Sequence, residues 1–138
     1  MHGGANNGTV SAFSVGSDGT LTSIGASPYA DNQTAPCWVA ISHDGSTLFA
    51  VNTGSQSVSS YTIGAAGGLG LIGTTALSSS GLRAFDAQLD PTDSYLYVVD
   101  GGTATISVLA NHGGNLTELG GSPVAIPGGG SPFGIVVD

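Results

Sequence analysis

Apolar residues fall in short runs separated by turn formers. In the central part of the chain the order is a run at 38–42, a turn at His43, Asp44, Gly45 and Ser46, a run at 47–52, a loop, and a run at 58–63. Runs of this length bounded by Gly, Asp and Ser predict antiparallel strands, because no stretch keeps the i, i+3, i+4 spacing of an amphipathic helix. A fourth run follows at 69–77, and its counterpart further on lies at 116–121. Near the start, 10–15 and 21–26 predict a hairpin across Asp18-Gly19.

The pattern recurs at an offset of 48 residues. Val10, Val58 and Ile106 coincide, as do Ser11, Ser59 and Ser107, so 10–15, 58–63 and 105–109 are predicted as equivalent third strands. Pro36, Ala84 and Pro132 open the first strands, and LFAVN at 48–52 falls on LYVVD at 96–100. GTLTSIGASP at 19–28 returns as GNLTELGGSP at 114–123 with one residue deleted. Length changes confined to turns mark a repeated supersecondary unit. Four short strands per unit predict an all-β fold, a β-propeller of four-stranded antiparallel blades. A β-sandwich also strings short strands together but seldom repeats a four-strand unit, and β-helix repeats are usually shorter. Residues 1–138 then form one partial propeller of about 2.9 blades, with 134–138 beginning a further inner strand. A ring takes about 4–8 blades. Two arrangements stay open: closure by copies of the chain, as a homodimer of about six blades or a homotrimer of about nine, or a piece of a longer propeller.

Charge narrows the partners. One basic residue, Arg83, stands against nine acids, for a net charge of −8. Nothing neutralises phosphates, so nucleic acid and anionic membrane surfaces are not expected partners. Hydrophobic residues make up 40% of the chain, enough for a folded core rather than a disordered segment. No apolar run reaches the ~18 residues of a membrane span, and no basic-then-apolar leader is read at the start. Compartment stays open, with the Gly-, Ser- and Thr-rich usage leaning extracytoplasmic. The single cysteine, Cys37, has Phe85 and Phe133 at equivalent positions and is expected to be a small buried hydrophobe.

Candidate chemistry is sparse. Arg83, at the entrance to an inner strand, suits an anionic ligand; the plainer reading is a loop arginine paired with an acid such as Asp86. His43 lies in a turn, where solvent exposure is the default and a catalytic base the alternative. Asp90 and Asp138 align at one end of the inner strand and Asp100 at the end of the next, so ringed carboxylates could hold Ca²⁺ in a central channel. Turn-forming Asp bonded to nearby backbone N–H explains the same pattern, and no cofactor is expected. No GxSxG elbow or metal-spaced His pair occurs.

The phrases LFAVNTGSQSVSSYTI at 48–63 and LYVVDGGTATISVL at 96–109, with SPFGIVVD at 131–138 and the turns HDGS and DPTDS, resemble the YVTN repeat of lactonase-like β-propellers, the superfamily that includes bacterial 6-phosphogluconolactonase of the propeller type. The resemblance implies a propeller, usually seven-bladed, with lactone hydrolysis in some members and no known activity in many. Enzymatic members tend to carry a basic residue and a His after the Pro that opens the inner strand. Here those positions are Cys37-Trp38, Phe85-Asp86 and Phe133-Gly134. Two functions are therefore expected: a non-catalytic module for binding and assembly that closes its ring by self-association, or alternatively a fragment of a lactone-hydrolysing enzyme. In the second, Arg83 holds an acidic substrate and Asp86 or a nearby acid orients water.

Overall fold

Every residue from Thr47 to Asn52 is buried, although side chains of a strand alternate between two faces. Such a strand must be covered on both sides. Leu48 and Ala50 pack toward the N-terminal part of the chain with Val10 and Tyr61. Phe49 and Val51 pack the other way, against Ala87, Leu89, Leu96, Val98 and Leu109. Among the described residues two cores therefore lie between stacked sheets, which is how propeller blades bury their faces.

The computed structural model describes residues 6–138, and its elements are all strands. The first unit contains β1 (Thr9–Val10), β2 (Phe13–Val15), β3 (Leu21–Ser23) and β4 (Tyr29–Ala30). The second blade is an antiparallel sheet in the order β5 (Pro36–Ile41), β6 (Thr47–Asn52), β7 (Ser57–Ile63) and β8 (Leu69–Ala76). The third has β9 (Ala84–Leu89), β10 (Tyr95–Asp100), β11 (Thr105–His112) and β12 (Asn115–Glu118) in the same order, with β13 (Val124–Ala125) also paired to β11. Inner strand β9 lies beside β5, and outer strand β12 beside β8. Blades of four-stranded antiparallel β-sheet repeating at 48 residues are thus the architecture.

Four details differ from the sequence reading. The first third strand is split, with β1 on β4 and β2 on β3, because the Ala12 amide leaves the ladder for Ser27 Oγ at 3.0 Å. Val108 makes the same bond to Ser122 Oγ at 2.9 Å, yet β11 stays continuous because β10 pairs with it from Thr105 to Ala110. That continuity carries it to His112, beyond the expected end at 109. Residues 134–138 form no strand; no second strand lies beside them among the described residues, and the segment is held instead by Phe133 stacked on Phe85 at 4.4 Å. Finally, Cys37 is exposed. It borders an open cleft of about 200 Å³ with Thr9, Val10 and Ser11, where the described part of the first unit supplies no inner strand to cover β5.

Candidate functional site

Each inner strand is an edge of its sheet, so β5 and β9 turn a free edge toward the axis of the ring. Between them opens a cleft of about 280 Å³ whose wall includes Trp38, Ile41, His43, Asp86, Gln88 and Ile135. Trp38 and Ile41 come from β5, Asp86 and Gln88 from β9, His43 from the turn after β5, and Ile135 from the segment that follows the last strand.

His43 is placed by its turn. Asp44 Oδ1 accepts from Ser42 Oγ at 2.6 Å and from the Ser46 amide at 2.9 Å, and Gly45 supplies the left-handed φ of 70° that closes the turn. The Ser42 hydroxyl first, then the Ser46 amide and hydroxyl, pull the Asp44 carboxyl down to about 2. The locked turn presents His43 to the next blade. Its backbone N–H donates to Asp93 Oδ2 at 2.9 Å, and its Nδ1 lies 2.6 Å from Asp93 Oδ1. With Nδ1–H donating to the carboxylate, the tautomer leaves Nε2 as the ring's open acceptor. The imidazole is 60% exposed and the Asp93 side chain 22%, so the pair sits at the rim of the cleft.

Asp86 lies deeper, at 8% exposure. Its Oδ1 accepts from the Ala87 amide at 2.7 Å and its Oδ2 from the Ile135 amide at 3.2 Å. The carboxylate thereby ties the 131–138 segment to the wall and keeps further lone pairs for the cleft.

The other candidates fall elsewhere. Arg83 is exposed, outside the cleft, with its guanidinium 5.7 Å from the centroid of the Phe85 ring. It makes no ion pair among the described residues, with Asp86 or any other acid. Asp90 is a turn residue, accepting from the Thr92 side chain and amide and from the Tyr95 amide at 2.7 Å. Asp100 lies at the opposite end of the β9–β10 ladder, fully buried, with Oδ2 accepting from Ser107 Oγ at 2.8 Å. Burial pushes its carboxyl up to about 6, against the opposing pull of the Ser107 and Thr105 hydroxyls. Asp138 is exposed beyond the last strand. Among the described residues no group of three or more His, Cys, Asp or Glu side chains is arranged to hold a metal ion.

Sequence reasoning singled out neither Asp93 nor Gln88. Asp93 had a signal: it stands 48 residues after Gly45 and keeps the left-handed backbone, with φ 57°. Asp is among the residues that adopt this conformation most readily, and here its side chain reaches His43. Gln88 carries no such mark.

The fold and cleft define an arc of a β-propeller with its candidate chemistry on the inner strands and the turns that follow them. The profile of a family described as lactonase, 7-bladed beta-propeller, matches residues 1–132, and the chain belongs to that family. Solved structures agree in fold. The periplasmic gluconolactonase of Pseudomonas aeruginosa superposes with TM-score 0.75 at 19% identity, over 94% of this chain and 36% of that one. A Lactobacillus plantarum protein gives 0.71 at 19% identity over 87% and 37%. A candidate 6-phosphogluconolactonase from Bacteroides uniformis gives 0.67 at 14% identity over 85% and 36%. The chain thus spans little more than a third of their length. A search of curated proteins found no match.

Proposed function

We propose that the chain is an arc of a lactone-hydrolysing propeller and that hydrolysis takes place in the cleft between β5 and β9. The observation that carries this reading is one imidazole, clamped through Nδ1 by Asp93, opening into the same cleft as the buried Asp86. His43 Nε2 takes a proton from water, and the water oxygen bonds to the lactone carbonyl carbon. Asp93 holds the tautomer and stabilises the imidazolium. Gln88 is the uncharged donor on this wall suited to the carbonyl oxygen as charge develops on it. Collapse breaks the ring C–O bond, the leaving oxygen receives the proton from His43, and the open hydroxy acid departs. Asp86 orients the water or a substrate hydroxyl while fixing Ile135. Arg83 takes no part, since it lies outside the cleft. Family membership favours this reading over a non-catalytic assembly module, which has no comparable support.

Lactone opening followed by proton release in a pH-stat tests it. His43→Gln is expected to lower kcat by about 10²–10⁴-fold while lowering stability by no more than about 1 kcal/mol, since the His43–Asp93 pair it breaks is solvent-exposed. Asp86→Asn is expected to lower kcat as well. Wild-type rates in both variants would refute the assignment.

A further inference from the structure

Trp38 is the one tryptophan of the chain, and a bulge decides where it points. Pro36 pairs with Asn52 and Trp38 with Val51, so Cys37 is an extra residue that the ladder skips. Strict alternation would put residues 36 and 38 on one face. The bulge instead moves Trp38 to the face of its cross-strand partner Val51, in the core between the second and third blades. Ala40, two residues on and on that same face, packs against this core. Trp38 therefore turns toward the third blade, whose strand β9 lies in place beside β5. The third blade repeats the device, with Ala84 on Asp100, Asp86 on Val99 and Phe85 skipped.

An aromatic side chain turned into a seam between blades would ordinarily fill it, as Phe49 and Tyr61 do at 0% and 1% exposure. Trp38 does not: it stays 49% exposed although the strand it faces is present. It is also the residue common to the two openings that flank β5, the cleft with β9 and the cleft beside Val10. A side chain that borders both lies at the free inner edge of β5, overlooking the axis of the ring. Asp86, at the equivalent position 48 residues on, lines the same cleft as Trp38. Each of its carboxylate oxygens accepts one backbone N–H, from Ala87 and from Ile135, and each keeps capacity for another donor. An indole face attracts the slightly positive C–H bonds of a saturated ring, and a carboxylate attracts hydroxyl donors.

Building on the hydrolytic reading of this cleft, we infer that Trp38 is the platform for the substrate ring: its indole stacks on the C–H face of a polyhydroxylated lactone while Asp86 accepts from a ring hydroxyl. Trp38 touches the substrate without touching the reacting atoms, so it contributes binding that the ground state and the transition state share.

The test titrates the full chain with glucono-δ-lactam, whose ring amide resists the hydrolysis that opens a lactone. Because Trp38 is the one tryptophan, indole emission reports on this ring alone, and the unaltered chain gives the answer whatever the stability of a variant. The lactam is expected to change the emission saturably and to shield Trp38 from quenching by acrylamide. Trp38→Leu is expected to weaken lactam binding, measured by calorimetry, by about tenfold, and to raise KM for glucono-δ-lactone by a similar factor with a smaller change in kcat. Trp38→Phe keeps a flat aromatic face and is expected to lose about threefold or less. Lactam binding that leaves Trp38 emission and quenching unchanged, wild-type affinity in Trp38→Leu, or lactone hydrolysis without lactam binding overturns the inference and leaves the hydrolytic reading standing. Neither lactam binding nor lactone hydrolysis overturns both.

Discussion

In the second blade β6 ends in Asn52, whose amide donates to Ser57 Oγ at 3.2 Å and Ser59 Oγ at 3.0 Å. In the third blade the same position is Asp100, which accepts from Thr105 at 3.4 Å and Ser107 at 2.8 Å. The hydroxyls serve both because they donate or accept. The two hairpin turns differ likewise: Gly45 and Asp93 share a left-handed backbone, but only Asp93 reaches across to a neighbour. At the outer edge, β8 is one strand where the third blade uses β12 and β13. The backbone repeats while the chemistry does not, and the differences gather where one blade meets the next.

The largest effect that probes this contrast concerns Phe49 and its equivalent Tyr97. Phe49 is fully buried in the core between the second and third blades, whereas Tyr97 is half-buried on the third blade. Phe49→Ala is expected to cost about 3–5 kcal/mol and Tyr97→Ala less than half of that, measured from urea midpoints. Equal losses would mean that the two strands are equally enclosed.

A smaller effect separates Asp100 from Asn52. The folded-state carboxyl of Asp100 titrates near 6, above its ordinary 3.8, so between these pH values the folded chain binds more protons than the unfolded one. Stability from this group is greatest below about pH 3.8, falls as pH rises through the window, and the loss is complete above about 6. Asp100→Asn is therefore expected to raise stability at pH 7.5 by up to about 2 kcal/mol, to leave pH 3.5 nearly unchanged, and to flatten the slope between. Asn52→Asp should introduce a slope of the same sign in the second blade. A variant with the wild-type pH profile would show that Asp100 is not the group responsible.

The strands were legible because their signals are local: the apolar runs, the Asp-Gly turns and the offset of 48 lie on the surface of the sequence. The split of the first third strand was not, since it depends on Ser27 Oγ capturing the Ala12 amide across a loop. Cys37 misled because its equivalents are Phe85 and Phe133, which stack on one another, while Cys37 faces an uncovered cleft. At the site, Asp86 and His43 were singled out individually, but their meeting in one cleft depends on β5 lying beside β9. Arg83 drew notice as the sole cation, and rarity said nothing of where its side chain would point.

The central claim is that hydrolysis depends on a residue pair spanning two blades, His43 held by Asp93. A double-mutant cycle on kcat measures it most directly, using His43→Gln, Asp93→Asn and both together. Residues that act as a unit are non-additive, so the double variant is expected to be no slower than His43→Gln alone, with Asp93→Asn already losing most of the rate. Multiplicative losses, or full activity in Asp93→Asn, would contradict the account.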